Sequence, residues 1–323
     1  MQIIDPEQTR SRLPFDALVQ ALRAMFIEGC EVPTRHIHRI DTTGDAATML
    51  LMPAWRKGGR LGLKLVNVFP SNAGTGIPAL HSSYLLYDAS TGVPLAQIDG
   101  NEITSRRTAA ASALAASMLA NESARRLLVV GAGRVASLLP DAYRAVRDIR
   151  NVDVWDIDRT LAEQMVIRLR ADGFDANVAG SLEGAARHAD IITCATLSRE
   201  PLILGAWLQP GVHLDLIGGF TPEMRESDDD CYRNTRVFID TEEALLKAGD
   251  LLGPIHAGVL TRQDVLATLE DLCSKRHPGR QSKSDITVYK SVGTALEDLA
   301  AACLVYDASP GRAPTFDADV TGL

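Results

Sequence analysis

The feature that most constrains the fold of this chain is a change of pattern at Arg126. From there, strand-like apolar runs alternate with helical segments. "RLLVVGAGRVA" leads into a helix reaching about Arg147, and "NVDVWDID" (151–158) into a helix at 159–172. "ANVAG" precedes the helix "LEGAARHA", and "DIITCAT" (190–196), "GVHLDLIGG" (211–219) and "RVFIDT" (236–241) follow as further strands. Strands of this kind, apolar on both faces and separated by helices, are covered on both sides only in a doubly wound parallel α/β sheet. The first third reads differently. After a short strand and a helix over about 14–29, the β-like runs "PTRHIHRI" (33–40), "ATMLLMPAW" (47–55), "LGLKLVNVFP" (61–70) and "SSYLLYDA" (82–89) follow one another. Strands in succession imply an antiparallel or mixed sheet, hence a second, α+β unit. At 323 residues the chain is long enough for two cores.

The glycine-rich turn sits where the pattern changes. Gly131, Gly133 and Ala136 make G-x-G-x-x-A, with Arg134 and Val135 between the last two. A strand before it and a helix after it are the context a dinucleotide-binding turn requires. The first glycine permits the tight turn, and the second lets the backbone approach a pyrophosphate at the helix amides. The next strand ends at Asp156, where an acid that holds the ribose hydroxyls is expected, with Arg159 close behind it. Thr196 and Leu197 follow a parallel strand at its carboxyl end, where ligands bind in open sheets. The other reading of the turn is a plain strand-to-helix corner.

Other residues bear on chemistry. Lys64 lies between Leu63 and Leu65 in an apolar strand. Either it points to water from a strand edge, or it is buried, and burial would lower its pKa toward neutral. "EITSRRTAAASALAASMLA" (102–120) reads as a long helix capped by Thr104 or Ser105, which puts Arg106 and Arg107 in its first turn. Cations there oppose the helix dipole, so Arg107 is expected to share an anion with the free amides and Arg106 to be solvated. His36, His38 and His81 lack metal-ligand spacing and read as surface or core histidines. "ESDDD" (226–230) reads as a solvated acidic helix start, or a feature that attracts a cation. The five cysteines show no CxxC spacing, which points to a reducing compartment and no metal site. A net charge of −8 disfavours nucleic acid as a partner, and no run is long enough for a membrane span. The N-terminus shows no signal-peptide pattern, and the residues after Ser309 read as frayed.

The chain resembles the ornithine cyclodeaminase/mu-crystallin family along nearly its whole length. The resemblance is carried by "VPTRHIH", "LLMPAW", "LGLKLVNVFP", "YDASTGVPLAQIDG", "TSRRTAAASALAA", "LLVVGAGRVA", "REPLILGAWLQPGVHLDLIGG", "EALLKAGDLLGPI" and "ITVYKSVGTALEDLAAA". It implies a substrate-binding and dimerisation domain from residues 1–113 with 295–323, a Rossmann domain from 114–294, an active site in the cleft, and a cytoplasmic homodimer. Arg35, Lys64 and Arg107 match the family's substrate-carboxylate and catalytic positions. Val292 and Gly293, after Ser291, match a turn near the nicotinamide. The implied activity is NAD(P)H-dependent reduction of a small cyclic imino acid, and Asp156, which would repel a 2′-phosphate, favours NADH over NADPH. The alternatives are ornithine cyclodeaminase and a crystallin-like binding protein without turnover. Cyclodeaminases of the family carry acids where this chain has Leu50 and Phe220, which favours the reductase.

Overall fold

The computed structural model describes residues 1–42, 46–72 and 75–308. The expected frayed tail after Ser309 lies outside the described residues. The chain divides into two compact units, Met1–Arg107 with the chain from Ala295 onward, and Thr108–Thr294. The division falls inside one long helix, earlier in it than residue 113, where the sequence reading drew the boundary.

The first unit is built on a six-stranded mixed sheet. Its strands are β1 (Gln2–Ile4), β2 (His36–Ile40), β3 (Ala47–Trp55), β4 (Arg60–Val68), β5 (Leu80–Asp88) and β6 (Pro94–Asp99), in the order β1-β6-β5-β4-β3-β2. β1 runs parallel to β6, and the remaining pairs are antiparallel. Period-two alternation in β4 puts Gly62, Lys64 and Val66 on the buried face and leaves Leu63 and Leu65 half-buried on the other. The buried face is covered by α10 (Ala295–Asp307), which also packs on α2 (Phe15–Glu28). In α2, Leu18, Leu22, Met25 and Phe26 recur at helical spacing and are at most 3% exposed. Pro14 ends up just outside this helix as its N-cap. A short helix, α1 (Pro6–Ser11), precedes it and was not expected from the sequence.

The helix α3 (Gly100–Leu119) begins earlier than its sequence suggests. Asp99, not Thr104 or Ser105, caps it, accepting the Glu102 amide at 2.7 Å. Arg106 and Arg107 therefore stand beyond the first turn, away from the free amides. Arg106 is not solvated either. Its Nε donates to the Leu13 carbonyl at 2.9 Å, and its guanidinium lies over the Phe15 ring at 4.3 Å.

The second unit is a doubly wound parallel sheet of eight strands. They are β7 (Arg126–Val130), β8 (Asn151–Trp155), β9 (Asp175–Val178), β10 (Ile191–Cys194), β11 (His213–Leu216), β12 (Arg236–Ile239), β13 (Val265–Thr268) and β14 (Thr287–Lys290). Their order is β13-β12-β14-β11-β10-β7-β8-β9, all parallel. The order reverses between β7 and β10, the switch point at which open α/β sheets leave a ligand crevice. Helices α4 (Leu139–Arg144), α5 (Arg159–Ala171), α6 (Leu182–His188), α7 (Ala244–Lys247), α8 (Gly249–His256) and α9 (Leu269–Cys273) complete the unit. Here α4 is shorter than expected, because the residues after the glycine turn form a 3-10 turn at Ala136–Leu138 and Pro140 opens the α-helix proper.

Candidate active site

In the first unit, two of the three cations singled out by the sequence meet on a pair of carboxylates it did not single out. Lys64 is 2% exposed, and its Nζ lies 2.7 Å from Asp298 Oδ2. Arg107 Nε donates to Asp298 Oδ1 at 2.9 Å and its Nη1 to Glu297 Oε2 at 2.5 Å. Both acids come from the first turn of α10 and are fully buried. Asp298 thus bridges a strand cation and a helix cation. The cluster carries two positive and two negative charges, so it is balanced before any ligand arrives.

Burial lowers the Lys64 pKa to about 8, Asp298 works against that shift, and the nearby charge of Arg107 adds to it. Burial would raise the Asp298 carboxyl, but Lys64 and Arg107 together outweigh burial and hold it below the ordinary carboxylate range. Arg107 stays firmly protonated, because Asp298 and Glu297 outweigh its desolvation.

Arg35 is half-buried and immediately precedes β2. His36 pairs with Leu51, and Met52 pairs with Lys64. Arg35 therefore leads into a strand two places from β4 in the same sheet, at the end of β2 where β3 continues toward the residue paired with Lys64. His36, His38 and His81 are exposed.

In the second unit, the glycine turn has the shape its sequence demands. Gly131 has φ +108°, and a Cβ there would lie 2.8 Å from the Ala195 carbonyl. The close approach joins the ends of β7 and β10, at the switch point. Gly133 differs, since a Cβ on it would meet nothing within 4 Å. Its bare backbone faces open space, which suits the approach of a phosphate. Arg134 is exposed and shares with Ala132, Ser137 and Arg168 the wall of a cavity of about 280 Å³. Val135 is half-buried and Ala136 fully buried.

Asp156 follows β8 and anchors the turn. Its Oδ2 accepts the Ala132 amide at 2.7 Å and its Oδ1 the Asp158 amide at 2.8 Å. Each oxygen keeps a second lone pair for a ribose hydroxyl. Arg159 starts α5, exposed and paired with Glu163 at 2.9 Å. Two large apolar side chains stand out from neighbouring loops, Ile157 at 93% exposure and Leu197 at 76%. Val292 and Gly293 both donate to Asp240 Oδ2, at 2.7 and 2.6 Å, so a buried acid also fixes that turn. Turn, acid and exposed apolar flanks fit a dinucleotide.

The acidic run 226–230 departs from the solvated face expected of it, because Glu226 is fully buried. Backbone amides and a hydroxyl claim its carboxylate, so it cannot be part of a solvated face.

The family model for the ornithine cyclodeaminase/mu-crystallin family matches residues 7–312. The chain belongs to that family. Within it, Δ1-pyrroline-2-carboxylate reductase of Paracoccus denitrificans is 38% identical over 302 residues, covering 92% of this chain and 94% of that protein. The structure of Thermococcus litoralis Δ1-pyrroline-2-carboxylate reductase in complex with NADH and L-proline matches at TM-score 0.89 and 29% identity, covering 95% of this chain and 96% of that one. An archaeal alanine dehydrogenase dimer with bound NAD matches at TM-score 0.87 and 29% identity, with 95% of each chain covered. Membership in the family accounts for the pairing of a mixed-sheet unit with a Rossmann unit.

Proposed function

We propose that this protein is an NAD(P)H-dependent reductase of small cyclic imino acids, converting Δ1-pyrroline-2-carboxylate or Δ1-piperideine-2-carboxylate to L-proline or L-pipecolate. The observation that carries the reading is the buried Lys64–Asp298–Arg107 cluster. A lysine brought to about 8 is mostly protonated near neutral pH yet able to give up its proton. The charges within the cluster already balance, so a substrate carboxylate needs a further cation, and Arg35, at the entry to β2 of the same sheet, supplies it. Arg107 meets the same carboxylate with Nη2, the guanidinium nitrogen that does not donate to Asp298 or Glu297. Lys64 holds a proton at Nζ for the ring nitrogen, and Asp298 keeps that ammonium in place. Gly131, Gly133, Arg134, Val135, Ala136, Asp156, Arg159, Thr196, Leu197, Val292 and Gly293 would hold the dinucleotide. The nicotinamide, when bound, supplies the hydride.

A cyclodeaminase must also seat the distal ammonium of ornithine, and a buried ammonium needs an acidic partner. Leu50 and Phe220 stand where cyclodeaminases of the family carry acids. Leu50 is half-buried and pairs with Val66, on the same face of the sheet as Lys64. Such a surface suits ring methylenes. The deciding experiment offers Δ1-pyrroline-2-carboxylate with NADH, and separately L-ornithine with catalytic NAD⁺. The expected result is NADH oxidation with the imine and little or no proline from ornithine. Ammonia release from ornithine without imine reduction would overturn the proposal.

Cofactor choice follows from Asp156, whose carboxylate repels a 2′-phosphate. NADH is expected to be used at least as well as NADPH. Asp156→Ala should shift the NADPH/NADH ratio of kcat/KM by on the order of tenfold toward NADPH. A large NADPH preference in the wild type, unchanged in the variant, would remove Asp156 from this role.

The protein is further proposed to be a homodimer. Leu51, Leu61, Leu63, Leu65 and Leu85 leave the second face of the mixed sheet half-buried and apolar, a surface that a second copy would cover. Among the described residues, no helix is long and apolar enough to cross a membrane.

A further inference from the structure

The loops that follow β10 and β11 are tied together by one side chain. Glu226 Oε1 accepts the Thr196 amide at 2.7 Å and the Thr196 hydroxyl at 2.8 Å, and Oε2 accepts the Gly218 amide at 2.6 Å. The loops are so close that a Cβ on Gly218 would overlap both the Thr196 carbonyl and the Glu226 carboxylate.

Glu226 rests in turn on a second acid. Asp250 Oδ1 accepts the Glu226 amide at 2.7 Å and the Ser227 amide at 3.1 Å. Lys290, the last residue of β14, brings its Nζ to 3.2 Å from Asp250 Oδ2. All three charged residues are fully buried. Burial pushes the Glu226 carboxyl up to about 7, Lys290 pulls it back and Asp250 pushes it further up.

Two buried carboxylates facing one ammonium are a poor way to stabilise a core. Apolar residues of similar volume would serve stability as well or better. What the arrangement does provide is a single fixed geometry for two loops at the carboxyl ends of adjacent parallel strands. Those loops border the switch point, where a Cβ on Gly131 would collide with the Ala195 carbonyl.

We propose that Glu226, seated on Asp250 and Lys290, is a positioning residue for the dinucleotide. It latches the Thr196–Leu197 loop to the Gly218 loop, so that the surface receiving the cofactor is formed before the cofactor arrives. This rests on the dinucleotide reading given above.

The test is Glu226→Gln, read by NADH affinity in a fluorescence titration, by the thermal midpoint without cofactor, and by KM against kcat. The substitution leaves Lys290 and Asp250 as a balanced pair, so the fold is retained. The glutamine NH2 cannot accept from the amides, so one loop is released. The expected result is a rise in Kd and KM for NADH of about tenfold or more, with kcat at saturating NADH within about threefold and the thermal midpoint nearly unchanged. A merely structural acid gives the opposite, a fall in midpoint with Kd unchanged, and that result overturns the proposal. If Glu226→Gln does not fold, Thr196→Val reads the same latch from the other loop. A Kd raised at least about threefold supports the proposal, and an unchanged Kd overturns it. A wild type that binds neither NADH nor NADPH removes the dinucleotide reading and this proposal with it. Wild-type binding that both variants retain removes this proposal alone.

Discussion

Lys64→Ala is expected to lower kcat/KM for imine reduction by at least about 100-fold, the scale of a lost acid–base group. NADH affinity should survive, because the glycine turn and its latches belong to the other compact unit. The loss should appear in kcat as well as KM. A residue that only attracted the substrate carboxylate would raise KM and leave kcat alone. Near wild-type turnover by the variant would remove Lys64 from the chemistry.

The same assignment fixes a pH dependence and its sign. The proton donor is the ammonium form. Its population is nearly complete well below about 8 and falls as pH rises through that value. In the wild type, kcat/KM for reduction should therefore decline on the alkaline side, by roughly tenfold per pH unit beyond the midpoint. Lys64→Arg keeps the charge but titrates far higher. Whatever activity it retains should lack that limb. An identical limb in Lys64→Arg would assign the titration to another group.

How much of this was legible in the sequence depends on the distance over which each feature is determined. β3 occupies 47–55, the bounds of its β-like run, and α5 begins at Arg159 as its pattern required. Local periodicity and turn chemistry decide such elements. The start of α3 was misplaced although its signal is local, since Asp99 stands three residues before Glu102, the spacing of a capping box. β13 was missed because it is a short edge strand with Leu266 turned outward, so it lacks a buried run. The acids of the site were hidden for another reason. Asp298 meets Arg107 across 191 residues of sequence, and no local pattern announces such a meeting. A clue was nonetheless present, because two adjacent acids interrupt a helix that is otherwise apolar as far as its terminal Asp307, and such a helix is buried. Glu226 offered less. In "ESDDD" it looks like its neighbours, and only the tertiary fold separates the buried first acid from the rest of the run.

Asp298→Asn tests whether the cluster is held together by charge. The substitution preserves shape and removes one negative charge from between Lys64 and Arg107. Two buried cations would then be left with Glu297 alone. Breaking a buried pair by removing one partner costs about 3–5 kcal/mol, because the remaining charge has no solvent to return to. For a unit of this size that corresponds to a fall in thermal midpoint of roughly 10 °C or more. Glu28→Gln is the control. It breaks the pair with Arg56, whose side chains are 42% and 39% exposed, and should move the midpoint by no more than about a degree or two. A second readout separates charge from packing. Asp298 holds the Lys64 pKa up against desolvation, so its neutralisation should carry the alkaline limb of the activity profile to lower pH. A variant with an unshifted midpoint and an unshifted limb would show that Lys64 and Arg107 do not depend on Asp298. A lower midpoint with the limb in place would confine Asp298 to holding α10 against the sheet.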